Sequence, residues 1–332
     1  MLLRLFKGTG PGVILLIIVT LMSVWASAFI KLQGRFSLYF DLDPMPLYGI
    51  LSSLTGTHPF PGIIFTLSLV ALMAFFIVNL NTALYFINTR TLLPAIIYIL
   101  LSGLFPQYQL LNPAIFGAMF LMLAIRRIMD SFRIAGTAYN FFDAGILIGV
   151  GSLFYANLIW FGLLVIIGMA SLRTGTIKEF VISVFGLITP YILIFGFYYV
   201  LGKDLVNLLS IMEYNLFSKQ EAYVFTPVTI VALTFIGLST LVSMIYLLMS
   251  MNTKKIKSRK TFSLLNWLFI ISLGLYFLMP SVSVEIVWIT GIPVSYILTH
   301  YLVNVKNKVI PEIIFSVIFI LIIGIQIWYL KG

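Results

Sequence analysis

Asp41 and Asp43 stand two residues apart in Phe40-Asp41-Leu42-Asp43-Pro44-Met45-Pro46, with one proline directly after them and a second close by. Proline restricts its own backbone and that of the residue before it. A carboxylate held in one direction is what a general base or a metal ligand needs. Two of them at this spacing suit abstraction of a proton from a hydroxyl, or ligation of Mg²⁺ or Mn²⁺. The same pair also makes an Asx turn or a helix cap, so an isolated Asp-x-Asp carries both readings. His58, between Thr57 and Pro59, is a candidate third polar group or a turn residue. Glu213 and Glu285 are the further acids expected to line a polar cavity with the aspartates, because acids in an apolar chain seldom face lipid. Catalysis is therefore expected at Asp41 or Asp43, and binding at His58, Glu213 and Glu285. A divalent cation is the one cofactor that this set suggests.

The elements that position these residues follow from composition. Of 332 residues, 61% are hydrophobic and only 9% charged, with a mean hydropathy of +1.12. A soluble domain carries roughly a quarter charged residues, so lipid must be the solvent of this chain. The net charge of +10 would suggest nucleic acid in a soluble protein. Here the cations flank apolar runs, where anionic headgroups and topology account for them, and no nucleic-acid module is present. Cysteine is absent, which excludes disulfides and thiolate chemistry. No phosphate-binding glycine loop, nucleophile elbow, His-Glu-x-x-His motif or haem or zinc ligand cluster occurs. Inverted repeats of the kind that mark secondary transporters are not visible.

Apolar runs broken by proline, glycine and charge predict eleven spans: 12–31, 63–86, 92–105, 113–129, 143–155, 157–172, 179–201, 227–251, 262–280, 283–303 and 309–330. Runs 92–105 and 143–155 are short for a hydrocarbon core of about 30 Å. The densest basic cluster, Lys254-Lys255-Ile256-Lys257-Ser258-Arg259-Lys260, reads as a cytoplasmic loop. With the N-terminus inside and the C-terminus outside, 15 of the 20 Lys and Arg residues fall on the inner side. The expected architecture is an all-α polytopic bundle of about eleven spans, a single membrane domain over 1–332. Its larger periplasmic loops are 32–61 and 202–226, and its basic cytoplasmic loop is 252–261. Leu47, Ile50, Leu51 and Leu54, and again Leu205, Leu208, Leu209 and Met212, recur at helical spacing, so each outer loop is expected to carry an interfacial helix. The turns 104–113 and 152–157 are expected to supply the floor of an outward pocket.

Asn88-Thr89-Arg90-Thr91-Leu92-Leu93-Pro94, Leu104-Phe105-Pro106, Ala124-Ile125-Arg126-Arg127-Ile128, Asp143-Ala144-Gly145 and Gly151-Ser152-Leu153-Phe154-Tyr155 resemble an uncharacterised Bacteroidota integral-membrane family. Its members often carry the label beta-carotene monooxygenase. That label does not suit a chain with two histidines, since carotenoid cleavage needs several for iron. The resemblance implies the inner membrane of a Gram-negative bacterium. The long first outer loop with its acidic residues, followed by paired short helices, is similar in architecture to integral-membrane glycosyltransferases that use polyprenyl-phosphate sugars. That similarity implies a base or metal-ligand role for Asp41 or Asp43 and a polyprenyl-phosphate-linked sugar as substrate. Three function classes remain open: an enzyme of cell-envelope biogenesis, a transporter of lipids or small molecules, and a non-catalytic subunit packed against a membrane partner.

Overall fold

The computed structural model describes residues 2–31, 39–55, 59–132, 138–172, 177–220 and 223–331, and these are all-α. In chain order the helices are α1 (Leu2–Phe6), α2 (Pro11–Ile30), α3 (Tyr39–Leu42), α4 (Pro46–Thr55), α5 (Pro59–Leu84), α6 (Leu93–Ser102), α7 (Pro113–Asp130) and α8 (Ala138–Ser152). They continue with α9 (Gly162–Leu172), α10 (Ile177–Val200), α11 (Leu205–Phe217), α12 (Pro227–Ser250), α13 (Ile256–Leu278), α14 (Val287–Asn304) and α15 (Val309–Lys331).

The expectation of eleven spans is corrected to seven. Among the described residues, α2, α5, α10, α12, α13, α14 and α15 are long and apolar enough to cross a membrane. The other four apolar runs form α6, α7, α8 and α9. At about 1.5 Å per residue, the ten residues of α6 reach about 15 Å, half of a hydrocarbon core. Helix α7 has 18 residues but carries Arg126, Arg127 and Asp130 near its end. Every residue of α6 is buried, as are most of α7. Their apolarity serves protein packing, and hydropathy cannot distinguish a run buried in protein from one facing lipid. Since the four short helices fall as two consecutive pairs, removing them from the count leaves the side of every other connection unchanged.

Helix α14 is the centre of the bundle. Its span is 83% buried, against 17% for α10. Helices α6, α7, α12, α13 and α15 pack round it. Tyr98 Oη donates to Trp288 O at 3.1 Å and Tyr296 Oη to Ile77 O at 2.7 Å, so two buried hydroxyls tie α14 to α6 and α5. Helix α10 instead lies closely along α8. A Cβ built on Gly145 would stand 2.5 Å from Ser183 O, and one on Gly186 2.4 Å from Phe142 O. Only the lack of side chains at these crossings lets the backbones approach so closely. The opposite side of α10 exposes Phe185, Ile192, Leu193 and Phe197, as a lipid-facing surface does.

The segments 46–54 and 205–216 form α4 and α11, of ten and 13 residues, both too short to span. Tyr48 of α4 and Leu208 and Met212 of α11 enter a small second core with Phe40, Met45, Leu153 and Ala156. Ile50 and Leu54 of α4 and Val206 and Leu209 of α11 remain exposed.

Candidate functional site

Three helical hairpins, α6/α7, α8/α9 and α13/α14, turn at the same end of the bundle. Each tip contains a short 3-10 segment, at Pro106–Tyr108, Ala156–Phe161 and Val284–Ile286. The lead-in sequences are alike: Leu104-Phe105-Pro106, Leu153-Phe154-Tyr155 and Leu278-Met279-Pro280. The basic segment Lys254–Lys260 begins α13, so it lies at the other end from the tip that follows α13.

Buried polar side chains fix each tip. At the first, Gly103 closes α6 where any Cβ would meet Val24 Cγ1 at 2.3 Å, which lets the turn lie against α2. Gln109 Nε2 donates to Val24 O at 3.1 Å, Gln326 Nε2 donates to Gly103 O at 2.7 Å, and Ser27 Oγ bonds Gln326. Asn112 Oδ1 accepts from Ala114 N at 2.8 Å and starts α7. At the second tip, Asn157 Nδ2 donates to Asn215 O of α11 at 3.3 Å. The third tip joins both of these elements: Ser281 Oγ lies 3.1 Å from Asn157 Oδ1 and 2.6 Å from Leu216 O.

Glu285 sits where the tips meet, with no solvent exposure. Its Oε1 accepts from the Tyr155 hydroxyl at 3.2 Å and from the Ser283 amide at 3.0 Å. Tyr108 of the first tip lies near Ser283 and Glu285, so every tip contributes to one cluster. Burial raises the Tyr155 hydroxyl well above its ordinary range, and the Glu285 charge and hydrogen bond add to this. Burial likewise raises Tyr108, with a smaller contribution from Glu285. Both phenols therefore remain protonated donors at neutral pH.

A cavity of about 400 Å³ adjoins this cluster, lined by Lys219, Gln220, Tyr223, Phe225, Tyr276 and Ser283 among others. Gln220 N donates to Pro280 O at 3.0 Å and pins the Lys219 segment to the third tip. Tyr223 packs edge-on against Phe105 and Phe225, both at 5.1 Å between ring centroids, and burial pushes its hydroxyl up to about 12. The cavity thus combines one ammonium, several neutral hydroxyl donors and an aromatic wall. Such a lining suits a molecule with an anionic polar end and an apolar body.

The residues expected from sequence are distributed differently. Asp41, partly buried at the end of α3, lies 3.2 Å from Tyr48 Oη, which also bonds Leu111 O at 3.1 Å. Asp43 is exposed, and its carbonyl accepts from Asn215 Nδ2 at 2.7 Å. Glu213 is exposed on α11. The structure thus brings the Asp41–Asp43 segment onto α11, while Glu285 has its contacts with Tyr155 and Ser283. His58 lies outside the described residues. Among the described residues no group of three or more His, Asp or Glu side chains is placed to hold a metal ion. The turns 104–113 and 152–157, expected to floor a pocket, carry Tyr108 and Tyr155 of this cluster; sequence reasoning missed Ser283 and Lys219 as site residues. The available signal was the recurrence of a leucine, a large apolar residue and then proline or tyrosine at each tip.

Residues 45–331 match a family described as Family of unknown function (DUF6427). No curated protein and no solved structure matches the chain. The matched segment takes in all three tips and the cavity and begins just after Asp43. Because it covers most of the chain, the protein belongs to the DUF6427 family.

Proposed function

We propose that this multi-pass membrane protein serves cell-envelope biogenesis by taking the phosphate-bearing polar end of a lipid-linked molecule into the tip-end cavity. The observation that carries this reading is the composition of the cavity: Lys219 and the hydroxyls of Tyr223 and Ser283 beside an aromatic wall. Lys219 supplies the charge that a phosphate needs. Phe277 and Leu278, each 78% exposed at the end of α13, supply an apolar rim for the chain of the ligand. The volume falls in the range of small-molecule sites, roughly 300–1,000 Å³.

A glycosyltransferase-like activity is the second reading, favoured by the Asn215–Asp43 bond. That contact fixes the acidic segment to α11, four residues before Lys219 at the cavity. In this reading Asp41 or Asp43 removes the proton from an acceptor hydroxyl while the cavity holds the lipid-linked sugar.

A photoactivatable polyprenyl-phosphate probe tests the binding claim on the full-length protein in detergent. Label is expected on peptides 219–225 and 276–284, and Lys219→Gln should weaken labelling about tenfold, the loss of one charged hydrogen bond. Label spread evenly over the exposed face of α10, or unchanged in Lys219→Gln, overturns the reading. For the catalytic extension, Asp41→Asn combined with Asp43→Asn should abolish a surface glycan while leaving labelling intact. A normal glycan in that variant removes the catalytic reading and leaves the binding reading standing.

A further inference from the structure

Helices α12 and α13 follow one another through the short connection 251–255, yet they hardly touch. Consecutive helices on a short link ordinarily pack side by side. Here both pack on α14 instead, α12 together with α15 and α13 together with α9. Among the described residues, no helix apart from α14 packs appreciably on both.

At the basic end the two converge. Tyr246 of α12 and Phe262 of α13 meet the same ring, that of His300 on α14, at 5.9 and 5.1 Å between centroids. At the tip end separate partners draw them apart. Tyr223 and Phe225, which lead into α12, pack on Phe105 of the first tip at 5.1 and 6.5 Å. Ser281, just past α13, bonds Asn157 of the second tip and Leu216 O. The two helices thus form a wedge whose mouth is at the tip end. Coverage of α14 agrees: residues 291–302 are all buried, while Val287 and Thr290 near its start remain partly exposed.

The tip-end cavity is the wide part of this wedge. Tyr223 and Phe225 line it from the α12 side, and Tyr276, Phe277, Leu278 and Met279 line it from the end of α13. The preceding turn of α13 continues the apolar wall. Leu273 stands three and four residues before Tyr276 and Phe277, hence on their side of the helix, and is 38% exposed. Ile270 extends the exposed strip along α13, and Ile230 and Val231 are exposed near the start of α12. A chain attached to a phosphate in the cavity cannot project into water without hydrating its apolar surface. It needs an exit into lipid, and the wedge is the apolar gap that adjoins the cavity.

We infer that the mouth of the α12–α13 wedge is a lateral portal, through which the apolar chain of the phosphate-bearing lipid passes from the cavity into the bilayer. The inference rests on the head-group reading of the cavity and adds the route of the chain: the ligand enters sideways from the membrane and not from solution.

Two photoreactive probes test this on the full-length protein in lipid nanodiscs. One is a polyprenyl phosphate with its photoreactive group on the chain, a few isoprene units from the phosphate. The other is a photoreactive hexyl phosphate, whose short chain need not pass the portal and which reads the cavity alone. The long probe should label both 227–238 and 267–275. Leu273→Trp adds bulk at the mouth and should weaken long-chain labelling about tenfold while leaving hexyl phosphate unchanged. Leu273→Ala should leave both probes at the wild-type level. Label confined to one of the two helices, label spread over the exposed face of α10, or a Leu273→Trp variant that treats both probes alike overturns the portal and leaves the head-group reading standing. No cavity label from either probe in the wild-type protein overturns the head-group reading, and the portal with it.

Discussion

Two donors converge on one oxygen of Glu285, the Tyr155 hydroxyl and the Ser283 amide, in a place with no solvent exposure. A buried carboxylate is retained only where its hydrogen bonds offset its desolvation. Glu285→Gln keeps an acceptor oxygen at that position and should cost about 1 kcal/mol or less. Glu285→Leu leaves both donors unanswered and should cost about 2–6 kcal/mol, at about 1–3 kcal/mol for each stranded group. Denaturant midpoints of the detergent-solubilised variants measure the difference. Equal losses in the two variants would mean that the charge, and not hydrogen bonding, holds the tips. Glu285 was expected from the sequence to line a cavity with Asp41 and Asp43, whereas its contacts are Tyr155 and Ser283, which no local pattern announced. Tyr155 is 130 positions away and reaches it only through the packing of two hairpins. Asp41 and Asp43 stood out because prolines flank them, a local signal that says nothing about what lies opposite.

At the scale of elements, periodicity and breakers placed most helices within a few residues, and α4 and α11 appear where one-sided apolar spacing put them. What the sequence could not convey was the difference between apolar because buried in protein and apolar because facing lipid. Helix α6 has the hydropathy of a span and half the length, with every residue covered by its neighbours. The α8–α10 crossing shows the same dependence on tertiary contact. Gly186→Ala places a Cβ 2.4 Å from a backbone oxygen and should cost about 1–3 kcal/mol, because backbone must move. Gly196→Ala, on the same helix, meets nothing within 4 Å and should be neutral or stabilising by up to about 1 kcal/mol. Thermal unfolding of the two variants side by side checks this. Equal stability would show that α8 and α10 are not in close contact.

The whole molecule is polar in its organisation. One end gathers three hairpin tips, a buried acid and a cavity; the other gathers the basic segment at the start of α13. Composition made the membrane class legible, and the basic cluster set it off from the rest of the chain. The convergence of tips 50 and 130 residues apart lay beyond any local pattern. The absence of cysteine makes the arrangement directly measurable. Single cysteines at Gln220→Cys, in the cavity wall, and at Lys257→Cys, in the basic segment, are labelled with a membrane-impermeant thiol reagent in sealed vesicles, with and without a polyprenyl phosphate. The two positions should react from opposite sides of the membrane, and the lipid phosphate should shield only Gln220→Cys. Labelling from the same side, or no shielding at Gln220→Cys, would contradict the account.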